Sequence, residues 1–242
     1  MFELKGKKVL VTGATQGIGF DIAKVLSECG ALVYVNGCTS EEKTKNASAK
    51  IPGSIPVTCD LAQKDCAEKL FALTGPLDIL ILNASVQIRK NWLEITDDDF
   101  DFQMNVNFRA SLKLIQKYAP YMAERNYGRI ITIGSVQQKK PHKDMLVYAA
   151  SKMAQLGMVK NLALQLAPYG ITVNNVAPGV IETPRNYDAL SDKEYAKKVI
   201  DSIPLGYAGV PKDISSPVLL LCSEEGGYIT GEDIFVDGGM GI

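Results

Sequence analysis

The sequence predicts a doubly wound α/β fold, a parallel sheet with helices on both faces, built as one domain over residues 1–242. Three observations carry this. Short aliphatic runs recur along the whole chain, mostly without polar alternation, as in strands covered on both faces. Stretches with helical spacing of apolar residues separate them, which calls for right-handed crossovers. A glycine-rich turn follows the first run directly and opens the first helix.

The runs are Val9–Val11, Leu32–Val35, Ile55–Thr58, Ile79–Leu82, Ile130–Ile133, Ile171–Val176 and Ile234–Val236. The helix Ile18–Cys29 carries Ile22, Val25, Leu26 and Cys29 on one side, with Gly30 as its stop. Ser40–Lys50 reads as a solvated helix. Two long helices are expected, near Asp99–Arg125 and over Tyr148–Ala167. The second carries Leu156, Val159, Leu162 and Leu166 before Pro168 and Gly170. No Pro/Ser-rich linker, low-complexity tract or repeat interrupts the order.

Composition narrows the function classes. Lys and Arg number 26 against 27 Asp and Glu, which argues against a globally basic nucleic-acid binder. The five cysteines form no CxxC pair and His142 is the single histidine, so no Cys/His metal site is expected. An odd cysteine count and the absence of a long apolar run near Met1 point to a reducing, cytoplasmic setting. The uncharged apolar stretches are too short to span a bilayer, so no membrane association is expected. A Ser-His-Asp triad is excluded unless it uses His142.

The turn Thr12-Gly13-Ala14-Thr15-Gln16-Gly17-Ile18-Gly19 joins the first strand to the first helix. Glycines allow close backbone approach to a pyrophosphate, and a helix N-terminus supplies free N–H groups and a positive dipole end. Tyr148 and Lys152 lie four residues apart, on one face of a helix. A free phenol titrates near ~10 and is a poor acid–base catalyst at neutral pH. A neighbouring ammonium favours the phenolate and makes proton exchange with an alcohol or alkoxide feasible. Ser135 ends the strand Gly128–Ser135, at the carboxyl edge where doubly wound sheets bind ligands.

With these residues in place, the chain resembles the short-chain dehydrogenase/reductase family over essentially its whole length, and the resemblance implies a Rossmann-type fold. Thr12–Gly19 resembles the family's dinucleotide turn in its TGxxxGxG spacing. Asp60, beside Leu61, resembles the acidic residue that holds the adenine ring. Leu82-Asn83-Ala84-Ser85 sits where the family has Asn-Asn-Ala-Gly, so Leu82 and Ser85 depart from the pattern. Asn107, Ser135, Tyr148 and Lys152 match the catalytic tetrad. Asn175–Gly179 with Val180–Thr183 resembles the segment that grips the nicotinamide, and so brings in Pro178, Gly179, Ile181 and Thr183. Asp237-Gly238-Gly239 resembles the C-terminal signature.

The resemblance implies an oxidoreductase that moves a hydride between a nicotinamide and a carbonyl or secondary alcohol. Tyr148 would be the general acid–base. Lys152 would lower its pKa and bond the nicotinamide ribose, Ser135 would polarise the substrate oxygen, and Asn107 would hold a water linking Lys152 to solvent. Some relatives have lost chemistry and act as regulatory nucleotide binders, but Ser135, Tyr148 and Lys152 are all present here. The resemblance also implies a homotetramer built on the two long helices and the last strand.

The segment Asn36-Gly37-Cys38-Thr39-Ser40 carries neither an acid that would repel a ribose 2′-phosphate nor a base that would attract one. Gln16 is neutral where NADP-preferring relatives often carry a base, and Asn36 is a further cofactor-binding candidate, but the backbone N–H groups and hydroxyls of Thr39 and Ser40 can accommodate a phosphate. NADP(H) is therefore favoured, with NAD(H) as the alternative. Substrate-facing segments should follow the later strands: Val86–Lys90 after Ser85, Val136–Met145 with Gln137 and His142, and Pro184–Tyr187 with Arg185. Their Gln, Lys and Arg content suits a polar or anionic substrate, although a solvated face accounts for the lysines equally well. A small sugar- or polyol-like substrate ranks first, because the Gln137-Gln138-Lys139-Lys140 loop is expected to narrow the site. A 3-oxoacyl-carrier-protein reductase is the alternative, with Arg129 at a position that matches carrier docking and Tyr169 replacing a frequent base.

Overall fold

The computed structural model describes residues 2–187 and 191–242. Seven strands form one sheet: β1 (Lys8–Val11), β2 (Leu32–Gly37), β3 (Ile55–Thr58), β4 (Ile79–Leu82), β5 (Gly128–Ile133), β6 (Ile171–Pro178) and β7 (Asp233–Val236). Every pairing is parallel and the order is β3-β2-β1-β4-β5-β6-β7. The chain runs outward from β1 to β3, then crosses back to β4 on the other side of β1. Two successive strands thus leave the β1/β4 seam in opposite directions, and a crevice opens above their carboxyl ends.

Successive side chains on a strand point to opposite faces, so a sheet covered twice needs apolar residues at both parities. Leu10, Leu80, Leu82 and Ile130 enter one core, while Val9, Val11, Ile79, Ile81 and Ile131 enter the other. The first core is closed by α3 (Cys66–Thr74), α5 (Ala110–Glu124) and α6 (Leu146–Leu166), through Leu70, Leu114, Tyr118 and Val159. The second is closed by α1 (Gly17–Glu28) and, after the short helices described next, by a final helix (Pro211–Cys222), through Ile22, Leu26, Ile214 and Leu221.

The polar segment after β2 forms α2 (Glu41–Ser48), capped by the Ser40 hydroxyl, which accepts from the Lys43 amide. The region Asp99–Arg125 is helical throughout, as expected, but not uniformly α-helical. It divides into α4 (Asp97–Met104), a π-type turn (Asn105–Arg109) and α5. Such a turn inserts an extra residue and often marks a functional position, and here it contains Asn107. After β6 the chain carries α7 (Lys193–Asp201), an amphipathic helix with no buried residue, and then α8 (Pro211–Cys222).

Candidate active site

The carboxyl ends of β1, β4, β5 and β6 open onto one cleft of about 680 Å³. Its floor is the glycine turn. Thr12 fixes that turn to β4: its hydroxyl donates to the Ile81 carbonyl and accepts from the amides of Asn83 and Ala84. The Asn83 side chain donates to the carbonyls of Thr12 and Gly13. A Cβ on Gly19 would lie 2.3 Å from Asn83 Nδ2, and one on Gly13 would lie 2.9 Å from Ala84 Cα. Only glycine permits this approach, and the bonds that hold the turn use Thr12 and Asn83 and not the side chains of Leu82 and Ser85, where the sequence departs from the family pattern.

Helix α1 begins at the cleft with no side-chain cap and no acidic residue in its first turn, unlike α2 and α4, which are both capped. Its first N–H groups and dipole end are free for an anion. Thr15, Gln16, Gly17 and Ile18 line this region, and Thr183 faces Gly17 from the far wall. Pro178, Gly179 and Ile181 complete that wall. Asp60 and Leu61 line the other end, with the Asp60 carboxylate accepting from the Ala62 amide at 2.9 Å. Asn36 is buried; it accepts from the Gly13 amide and donates to the carbonyls of Gly37, Val57 and Cys59, so it shapes this end from below. These features fit a dinucleotide, and none requires a geometry that the side chains lack.

Thr39 departs from expectation. It is exposed and does not line the cleft, because the chain turns outward there to let Ser40 cap α2. The nearest lysine to this end is Lys43, in the first turn of α2 and outside the cleft lining. Its Nζ lies 3.0 Å from Gln16 Oε1.

Ser135 and Tyr148 line the middle of the cleft and are nearly buried. The Ser135 Oγ accepts from the Gln137 amide, which leaves its hydrogen free to donate. Behind Tyr148, Lys152 is almost completely buried, and its Nζ donates to the Ile133 carbonyl at 2.7 Å and to Gln155 Oε1 at 3.0 Å. Burial, reinforced by the Arg185 guanidinium, pulls the lysine down to about 7. Asn107 is buried too. Its side chain clamps both the amide and the carbonyl of Val86 and donates to the Ser151 hydroxyl, and its carbonyl accepts from Ser111.

Ser85, Gln137, His142 and Arg185 line the substrate end. Arg185 reaches across the mouth and donates to the Ser85 Oγ and carbonyl, at 3.1 and 2.7 Å. The His142 Nδ1 accepts from the Asp144 amide. Three other cations share this end: Arg89, Lys140 and Lys198. Lys198 arrives with Tyr195 on α7, which sequence reasoning missed because only the fold swings that helix over the cleft. None of these cations takes part in an ion pair among the described residues.

Two expectations about substrate access are overturned. The Gln137–Lys140 loop does not narrow the site as a block. Gln138 folds beneath it, accepting from the Ser135 amide and donating to Asp233, and Lys139 turns to the Phe235 ring. Arg129 is not at the surface. It is buried beneath Tyr127, donating to the carbonyls of Gly128, Gly170 and Ser223.

A family model described as Enoyl-(Acyl carrier protein) reductase matches residues 13–241. The chain belongs to the short-chain dehydrogenase/reductase family. It is therefore an oxidoreductase acting on CH–OH or carbonyl groups. It is 36% identical over 241 residues to a 3-oxoacyl-[acyl-carrier-protein] reductase of Rickettsia prowazekii, covering 99% of each chain. It is 39% identical over 245 residues to a glucose 1-dehydrogenase of Gluconobacter oxydans, covering 97% of this chain and 92% of that one. It superimposes with a TM-score of 0.92 on a gluconate 5-dehydrogenase of Burkholderia cenocepacia in complex with NADP and tartrate. That pair is 30% identical, with 99% and 96% of the two chains covered.

Proposed function

We propose that this family member interconverts a small, carboxylate-bearing, sugar-derived carbonyl compound and its alcohol, with NADP(H) preferred. The observation that carries the substrate class is the charge of the cleft. Arg89, Lys140, Arg185 and Lys198 line the substrate end, and the only carboxylate among the described lining residues, Asp60, belongs to the adenine end. Unpaired cations gathered in a concave site raise the local concentration of anions and hold them by charge-assisted hydrogen bonds. The structural relative holding tartrate, a small hydroxylated dianion, supports this reading. Lys43 beside Gln16 supports NADP(H), because a 2′-phosphate at that end would meet its ammonium.

The nicotinamide, when bound, supplies or accepts the hydride. The chain's own residues manage the proton and the oxygen. The Tyr148 phenol exchanges a proton with the substrate oxygen, and the Ser135 hydroxyl donates a hydrogen bond to that oxygen. Lys152 stands behind that phenol, its Nζ 5.8 Å from the Tyr148 ring centroid. Asn107 holds the Val86 segment, which forms one wall of the substrate end.

A 3-oxoacyl-carrier-protein substrate is the second reading. It is favoured by the Rickettsia relative and by Gln138, which leaves the cleft wider than the sequence suggests. The burial of Arg129 counts against carrier docking at that position. Initial rates at 340 nm with sugar acids, neutral polyols and 3-oxoacyl thioesters separate the two. Sugar acids should give the highest kcat/KM, and a thioester outranking them would reject the proposal. We also propose a homotetramer, supported by the exposed apolar side chains of Phe100, Met153 and Leu164 on α4 and α6. Sizing chromatography tests it.

A further inference from the structure

A polar side chain that the chemistry above does not use lies directly behind the catalytic lysine. Gln155 is fully buried in the middle of α6. An amide placed there costs several kcal/mol unless its hydrogen bonds are made. They are made, in an ordered chain. Lys152 Nζ donates to Gln155 Oε1 at 3.0 Å, Gln155 Nε2 donates to Ser111 Oγ at 3.1 Å, and Ser111 Oγ donates to the Asn107 carbonyl at 3.2 Å. All four residues are buried. The chain links α6 to α5 and ends on the π-type turn.

We propose that Gln155 is a positioning residue for Lys152, holding its ammonium charged and in place, and that Ser111 fixes the Gln155 amide in the required orientation. An amide is ambiguous: rotated by half a turn, it would point its NH₂ at the lysine and oppose the charge. The Ser111 hydroxyl resolves this. It donates to the Asn107 carbonyl, so toward Gln155 it can only accept, and this turns Nε2 to Ser111 and Oε1 to Lys152. Two of the three ammonium hydrogens are then occupied, by Ile133 and Gln155. An amide cannot pass a proton along without tautomerising. The chain Lys152–Gln155–Ser111–Asn107 therefore holds a charge and does not conduct protons.

Among the described residues Gln155 is the side chain that accepts from that ammonium, beside the Ile133 backbone carbonyl. Arg185, from the loop after β6, opposes it. Tyr148 lies on the same helix, with its ring centroid 5.8 Å from Nζ. From β5 comes only the Ile133 carbonyl, and Ser111 and Asn107 on the remaining side are neutral.

The inference rests on the roles proposed for Tyr148 and Lys152, but its test needs neither substrate nor cofactor. Full-length protein labelled with carbon-13 lysine is titrated by NMR, and the Lys152 Cε signal is identified by its loss in Lys152→Met. Gln155→Leu keeps the bulk and removes the acceptor. It should lower the Lys152 midpoint by about one pH unit, a tenfold change in proton affinity, as expected for losing a hydrogen bond to a charged group. Ser111→Ala frees the amide to rotate and should shift the midpoint in the same direction by a smaller amount. A folded Gln155→Leu protein with an unmoved midpoint overturns the proposal, even if its melting temperature has changed, since a merely structural role moves stability alone. If Gln155→Leu does not fold, Ser111→Ala decides, and an unmoved midpoint there overturns it equally.

Discussion

At the dinucleotide end of the cleft the side chains that shape the floor, buried Thr12 and Asn36 and half-buried Asn83, are tied to the backbone. Thr12, Asn36 and Asn83 each bind two or more backbone groups on neighbouring strands or turns. At the substrate end Arg89, Arg185 and Lys198 are exposed, and Arg185 is held only by its reach to Ser85 among the described residues. The first end is a backbone shape that side chains lock. The second is a charge distribution carried on loops and on α7, with little holding it to the sheet. The first end cannot change without disturbing the turns and strands its side chains tie together. The other can be exchanged residue by residue, and substrate choice lives there.

That contrast can be broken at the seam between the two ends. Tyr148→Phe removes the proton donor and keeps the ring. Turnover at 340 nm should fall by roughly 10²–10⁴-fold, while cofactor affinity, measured by nicotinamide fluorescence, should stay within about twofold of the original, since removing one hydroxyl leaves the cradle intact. Arg185→Ala sharpens the contrast from the substrate side. kcat/KM for a sugar acid should fall by about 10–100-fold, as for loss of a charge-assisted hydrogen bond. A neutral polyol and the KM for the cofactor should be little affected. An equal loss for the neutral polyol would mean that Arg185 shapes the site and does not select charge.

Lys43→Ala probes the cofactor side. Its ammonium is exposed, so the effect should be modest: the ratio of kcat/KM for NADP(H) over NAD(H) should drop by about five- to tenfold. The smallest expected effect concerns stability. The folded-state pKa of Lys152 is depressed to about 7 from the ordinary 10.5. Between these values the unfolded chain binds more protons, so this group's contribution is fully present above about pH 10.5 and is lost as pH falls to about 7. Lys152→Met should flatten the dependence of melting temperature on pH in that window, and should raise the melting temperature by a few degrees at the acidic end. A profile that keeps its slope would contradict the burial argument.

Features that the backbone demands were readable from the sequence. All seven strands were, because a sheet covered on both faces needs apolar residues at both parities and little else looks like that. So was the glycine turn, since only glycine lets Gly13 and Gly19 approach the end of β4. Tyr148 and Lys152 were legible as a pair through their spacing, and Ser135 through its place at a strand end. What depends on the direction a side chain takes was not readable. Thr39 and Gln138 face away from the cleft, Arg129 is buried, and Lys198 faces in, yet nothing local distinguishes them from ordinary surface residues. Gln155 looked like one more residue of an apolar helix, and its meaning appears only when α5 brings Ser111 beside it.

The most direct test of the account is a comparison of wild type and Tyr148→Phe in initial-rate measurements at 340 nm, using NADP(H) with a sugar acid, its neutral polyol counterpart and a 3-oxoacyl thioester. The account predicts that the sugar acid is the best substrate of the wild type and that the variant loses turnover with all three while still binding the cofactor. A variant that turns over at the wild-type rate would contradict it.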